Sequence, residues 1–250
     1  MYYYAVSDKG AVKDVNQDSI LIKKWKSEDD TVCVFGCICD GMGGLAAGEK
    51  ASYTAALAYF RWFSDHISEI YQDVDQIKTS FSECSQIINQ KIYSFGKENG
   101  FRLGTTVSAV LIIGNRYLTC NVGDSRVYRS FDKQFVQITK DNSYVQNEVD
   151  AGRMTKEEAE TSEKNHLLTR CLGGYSVLEA VDFTSGEVIP GDKFVFCSDG
   201  ARHVVTSREY AILFSKIRSK KDLVEQLPRV IEEIIRRGES DNISIGCIAI

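Results

Sequence analysis

Short apolar runs alternate with long amphipathic stretches along the chain. Tyr2 to Val6, Ile20 to Ile22 and Thr31 to Cys39 (TVCVFGCIC) read as strands. The charged stretch from Lys23 to Asp30 reads as a hairpin loop between the last two. Gly48 to Phe63 reads as a helix, with Ala51, Ala55, Ala58 and Trp62 on one stripe. Ile77, Phe81, Cys84, Ile88, Ile92 and Phe95 step by 4, 3, 4, 4 and 3, which predicts a second helix; Gly96 and Gly100 bracket its exit. Thr105 to Ile113, Arg116 to Val122, Arg126 to Ser130 and Phe135 to Thr139 follow in close succession. Their glycine-bearing turns, Gly114-Asn115 and Gly123-Asp124-Ser125, predict an antiparallel meander.

The pattern then changes. Lys140 to Leu172 is polar and reads as short helical pieces, one opened by a capping box at Thr155-Lys156-Glu157-Glu158. Strands are expected at Val177 to Phe183, at Lys193 to Cys197 and from Asn242 to Ile250. Between the last two, a capping box at Thr206-Ser207-Arg208-Glu209 opens a helix through Ile217. Another helix runs from Lys220 to Arg237, with Leu223, Leu227, Val230, Ile231 and Ile234 as its stripe. Strand runs interrupted by paired helices predict an α+β fold with sheets inside and helices outside, in one domain over residues 1–250.

Composition narrows the function. Apolar residues are 43% and charged residues 26%, ordinary globular values. The net charge of −5 provides no field to draw DNA, RNA or anionic lipid, so neither nucleic acid nor membrane is an expected partner. No apolar run approaches the roughly 20 residues of a membrane span, and the first residues lack the basic start of a signal peptide. Cys247-Ile248-Ala249-Ile250 has the form of a prenylation box but lies in a stretch that reads as a buried strand. None of the 8 cysteines forms a Cys-x-x-Cys pair, and Cys33, Cys37 and Cys39 share one strand face, as small buried thiols do.

The chemistry-bearing feature is the placement of aspartates. Asp40 follows VCVFGCIC, Asp124 follows YLTCNVG, Asp199 follows KFVFCS and Asp241 precedes NISIGCIAI. One such Asp reads as a turn former. Four at strand ends allow a second reading, in which sheet edges bring them together and a hard divalent cation, Mg²⁺ or Mn²⁺, removes their repulsion. Two such ions lower the pKa of a water and clamp phosphoryl oxygens, the chemistry of phosphate-ester hydrolysis. The 3 histidines are dispersed, which argues against a zinc-type site. Asp40-Gly41-Met42-Gly43-Gly44 lets backbone approach a ligand, so the Gly41 carbonyl is a further hard oxygen donor. The absence of a Gly-Lys-Ser/Thr ending excludes a P-loop.

At these residues the chain resembles the metal-dependent protein phosphatases, the type-2C serine/threonine phosphatases in their bacterial form. The resemblance runs through Ser7-Asp8-Lys9-Gly10 with Asn16-Gln17-Asp18, then Asp40 to Gly44 with Gly48-Glu49 and Ala51-Ser52. It continues through Leu103-Gly104-Thr105-Thr106, Asn121 to Tyr128, Ile138 to Asp141, and Thr169-Arg170 with Leu172-Gly173. Cys197-Ser198-Asp199-Gly200 and Asp241-Asn242-Ile243-Ser244 close the set, in the family order and over nearly the whole chain.

The resemblance implies a four-layer α-β-β-α sandwich, two antiparallel sheets flanked by helix pairs, with a flap segment at about residues 140–172. It implies a phosphoprotein phosphatase with two or three Mn²⁺ or Mg²⁺ ions. Asp40 would bridge two ions, with the Gly41 carbonyl on one; Asp199 and Asp241 would hold the other. Asp124, with Asp199, would hold a third. Asp18 would orient a metal-bound water that attacks the phosphorus of phosphoserine or phosphothreonine in line. The implied partners are phosphoproteins, among them a serine/threonine kinase, and a cytoplasmic monomer is expected. Lys13 stands where many members carry an Arg that grips the substrate phosphate; Lys keeps the charge and loses the bidentate fork. Met42 stands where animal members have a histidine proposed as general acid. A member that binds phosphoproteins without catalysis is the competing reading, and only Lys13 favours it.

Overall fold

The computed structural model describes residues 1–43 and 47–250. One antiparallel sheet has the order β1 (Tyr2–Asp8), β11 (Ile243–Ala249), β10 (Lys193–Cys197), β7 (Arg126–Phe131), β8 (Gln134–Gln137). The other runs β2 (Asp18–Lys26), β3 (Val32–Gly43), β5 (Val107–Ile113), β6 (Arg116–Val122), β9 (Asp182–Glu187), with β4 (Leu103–Thr105) paired to the end of β3.

Helices α1 (Gly48–Ile70) and α2 (Val74–Asn99) cover the β3 sheet, and α5 (Ser207–Lys216) and α6 (Lys220–Arg236) cover the β10 sheet. The short helices α3 (Tyr144–Asp150) and α4 (Lys156–Thr161) lie in the expected flap segment. Strand alternation produces the layers. On β3, Phe35, Cys37 and Cys39 face the helices with Tyr59, Phe63 and Phe81, while Val34 and Ile38 meet Phe194 and Phe196 between the sheets. A third apolar layer, with Phe214, Leu227 and Ile245, lies under α5 and α6. This is the four-layer α-β-β-α sandwich.

Three expectations need correction. The Lys23 to Asp30 stretch is not all loop, because β2 continues to Lys26. Lys23 Nζ lies over the Phe60 ring at 4.6 Å and Trp25 packs on Tyr71 at 5.2 Å, so both side chains cover apolar surface at α1 and the turn after it. The strand expected at Val177 to Phe183 lies later, at Asp182–Glu187, where it pairs with β6; its position follows from that neighbour rather than from its own polarity. The meander is two hairpins in two different sheets. β5–β6 belongs to one and β7–β8 to the other, and the chain crosses between them at Gly123-Asp124-Ser125. Gly123 makes the crossing possible: its φ is +107°, and a Cβ there would run into the Thr106 side chain.

Candidate active site

The loops at one end of the sandwich bring the flagged aspartates together. Asp18 opens β2 and is the register partner of Asp40 near the end of β3. Asp124 sits at the crossing between sheets, Asp199 opens a 3-10 turn directly after β10, and Asp241 lies two residues before β11. Gly44 lies outside the described residues.

Backbone hydrogen bonds hold these positions. Asp40 N–H donates to Thr106 Oγ1 at 3.0 Å, and the Asp40 carbonyl accepts from Thr105 Oγ1 and Thr106 N–H, both at 2.9 Å. The main chain of Asp40 is thereby satisfied, and its carboxylate is left for other work. Gly41 N–H donates to the Gln17 carbonyl at 3.0 Å, and a Cβ on Gly41 would collide with the Gly48 carbonyl at the start of α1. Only glycine lets strand and helix approach that closely.

Asn242 ties the β1–β2 loop to the start of β11. Its Oδ1 accepts from Gln17 N–H at 2.9 Å, and its Nδ2 donates to the carbonyls of Lys9 and Val15 at 2.9 and 3.1 Å. Ser198 joins the two sheets: its Oγ donates to Asp18 Oδ2 at 2.8 Å and accepts from Ser244 N–H at 3.0 Å. Leu172, at the end of the segment expected to form a flap, exchanges backbone hydrogen bonds with Thr105 at 2.9 Å, close to Asp40.

The carboxylates repel one another. Loss of surrounding water raises the pKa of Asp40 well above the carboxylate range, and the charges of Asp18, Asp199, Asp124 and Asp241 raise it further. Burial pushes Asp18 up to about 7, with Asp199 and Asp241 adding to it and hydrogen bonds from Ser244 and Ser198 opposing. Burial and Asp199 raise Asp124 to about 6, against the pull of Arg202.

Cationic side chains stand at the same edge. Lys13 Nζ is 3.0 Å from Asp241 Oδ1, Arg202 Nη2 is 3.4 Å from Asp124 Oδ2, and His203 Nε2 is 3.6 Å from Asp199 Oδ2. The hydrogen bond to Asp241 raises the pKa of Lys13. The Glu239 carboxylate, 3.1 Å from His203 Nδ1, raises that of the imidazole. Among the described residues no three Asp, Glu, His or Cys side chains are closed about a common point. The donor set nevertheless fits hard divalent cations: every donor is an oxygen, the carboxylates repel, and Asp18 Oδ1 and Asp199 Oδ1 are buried without a hydrogen-bond partner.

Sequence reading assigned no role to Ser198, Asn242, Thr105 and Thr106, or to Arg202 and His203. All but the threonines stand within four residues of a flagged aspartate, which is the signal that adjacency offered. Thr105 and Thr106 reach Asp40 only across the β3–β4 pairing.

Known proteins share this fold. A catalytic-domain structure of the serine/threonine phosphatase PstP in complex with 2 manganese ions superposes with a TM-score of 0.80 at 31% identity, covering 98% of this chain and 96% of that one. The serine/threonine phosphatase of S. agalactiae superposes with a TM-score of 0.84 at 25% identity, covering 100% of both chains. PstP of Mycobacterium tuberculosis is 32% identical over 245 residues, which is 97% of this chain and 44% of that protein, so the chain spans under half of PstP. The family profile described as Protein phosphatase 2C matches residues 10–236. Matched over most of its length, the chain belongs to the protein phosphatase 2C family.

Proposed function

We propose that this chain is a metal-dependent protein serine/threonine phosphatase that hydrolyses phosphoserine and phosphothreonine in proteins. The observation that carries the proposal is the group of mutually repelling carboxylates around Asp40. Asp40 and the Gly41 carbonyl, with Asp199 and Asp241, would hold Mn²⁺ or Mg²⁺. When bound, such ions polarise phosphoryl oxygens and make water a competent nucleophile at neutral pH.

The chain's own residues do the rest. Asp18 has Oδ2 fixed by Ser198 and Oδ1 unpartnered, so Oδ1 would accept a hydrogen bond from the attacking water and orient it. Lys13, with a half-exposed side chain beside Asp241, supplies a point charge to the substrate phosphate. Asn242 keeps the loop carrying Lys13 and Asp18 against the start of β11. The flap from about residue 140 to 172 borders the site and belongs to the same single domain. A serine/threonine kinase is the natural counterpart, since its product is this substrate. The proposal extends to a cytoplasmic monomer; no helix among the described residues is long and apolar enough to cross a membrane.

The test is hydrolysis of a phosphothreonine peptide by the purified chain with Mn²⁺. Phosphate release that EDTA abolishes is the expected result. A chain that binds Mn²⁺ and phosphopeptide yet releases no phosphate would instead be a phosphoprotein-binding member.

A further inference from the structure

Arg202 pairs with Asp124, one of the two carboxylates that the resemblance gives to a third ion. It closes the 3-10 turn that begins at Asp199, and its backbone N–H donates to the Asp199 carbonyl at 2.8 Å. Its guanidinium reaches from there to Asp124, with Nη2 3.4 Å from Oδ2. Both side chains are largely buried, at 18% and 10% exposure. This is the one side-chain hydrogen bond that the Asp124 carboxylate makes among the described residues. Arg202 Nε is buried without a partner, so the ionic contact with Asp124, rather than a full set of hydrogen bonds, is what the guanidinium gains there.

A guanidinium remains charged at any working pH. A divalent ion between Asp124 and Asp199 would have to expel it from a buried position or sit beside its positive charge, and in a poorly solvated site either is costly. The other carboxylates are not blocked in this way. Asp40 has no cationic partner among the described residues, the Lys13 side chain on Asp241 is 42% exposed and free to swing into solvent, and His203, 3.6 Å from Asp199, is an imidazole that can give up its proton where a guanidinium cannot.

We propose that Arg202 is a built-in replacement for a third ion, so that this chain holds two divalent ions and uses Asp124 as an arginine partner rather than a metal ligand. The inference rests on the metal-dependent phosphatase reading above, and it revises the role that the resemblance gave Asp124.

Counting bound metal tests it without reference to turnover. After equilibrium dialysis against millimolar Mn²⁺, with atomic emission for metal, the parent chain is expected to hold two ions. Arg202→Ser is expected to hold three, and adding Asp124→Asn to that variant should return the count to two. Asp124→Asn alone should leave two; should Arg202→Ser not fold, this variant decides by itself. Three ions in the parent, with one lost on Asp124→Asn, would overturn the inference and leave the phosphatase reading standing. A count that stays at two in a folded Arg202→Ser would overturn it as well. No bound Mn²⁺ at all would defeat the metal reading, and this inference with it.

Discussion

Asp18 faces Asp40 directly across the β2–β3 ladder. Like charges at opposed positions destabilise a strand pair, and Asp199 and Asp241 add to the repulsion here. The repulsion costs the metal-free protein stability, which a bound divalent cation would offset. The edge is therefore strained by design of its chemistry, and the strain can be measured.

The metal-free protein should lose stability as pH rises. Asp18 and Asp124 have folded-state pKa values raised to about 7 and about 6 from 3.8. Between about 4 and 7 the folded state therefore binds more protons than the unfolded chain, so stability falls across that window and levels off above it. Thermal melts in EDTA from pH 5 to 8 should show the decline, and Mn²⁺ should raise the melting temperature most at the alkaline end. A metal-free melting temperature that climbs steadily over this range would contradict the assignment.

Asp40→Asn should separate stability from function. Removing the central charge relieves its neighbours, so the metal-free variant should melt a few degrees higher than the parent at pH 7.5. It should also lose the Mn²⁺-induced shift and at least about 100-fold in phosphopeptide hydrolysis. Differential scanning fluorimetry and a phosphate-release assay read the two effects separately.

Asn242→Ala should loosen the β1–β2 loop. Three hydrogen bonds disappear, and the Gln17 N–H and the carbonyls of Lys9 and Val15 lose their partner. The cost should be about 2–4 kcal/mol, seen as a lower denaturation midpoint, with new proteolytic cleavage between residues 9 and 17. Mn²⁺ affinity should fall with it, because Asp18 and Lys13 ride on that loop.

Lys13→Arg should tighten phosphate binding. A forked guanidinium adds a charge-assisted hydrogen bond of about 1.4 kcal/mol, which lowers KM for a phosphothreonine peptide about tenfold with little change in kcat. An unchanged KM would mean that Lys13 serves Asp241 alone.

The helices and most strands were legible because their signals are local. The 4, 3, 4, 4, 3 spacing lies within α2, and the capping boxes at Thr155 and Thr206 form as the sequence predicts. Asp199 was legible for the same reason, since its apolar run ends in the Asp-Gly step of a turn, whereas Asp40-Gly41 stays inside β3. Pairing between distant segments was not legible. β9 takes its position from β6, and Lys23 and Trp25 take theirs from Phe60 and Tyr71 on α1 and the turn after it.

By itself the sequence determined the layer order, the family and the identity of the candidate carboxylates, because periodicity and motif are properties of neighbouring residues. Tertiary structure alone decided which hairpin joins which sheet. That choice puts Asp124 on a crossing between sheets, within reach of Arg202, and sets Asp18 against Asp40. The physical reason is that electrostatics acts through space. Asp18 and Asp40 are 22 residues apart in the chain, Asp124 and Arg202 are 78 apart, and only folding turns those separations into contacts.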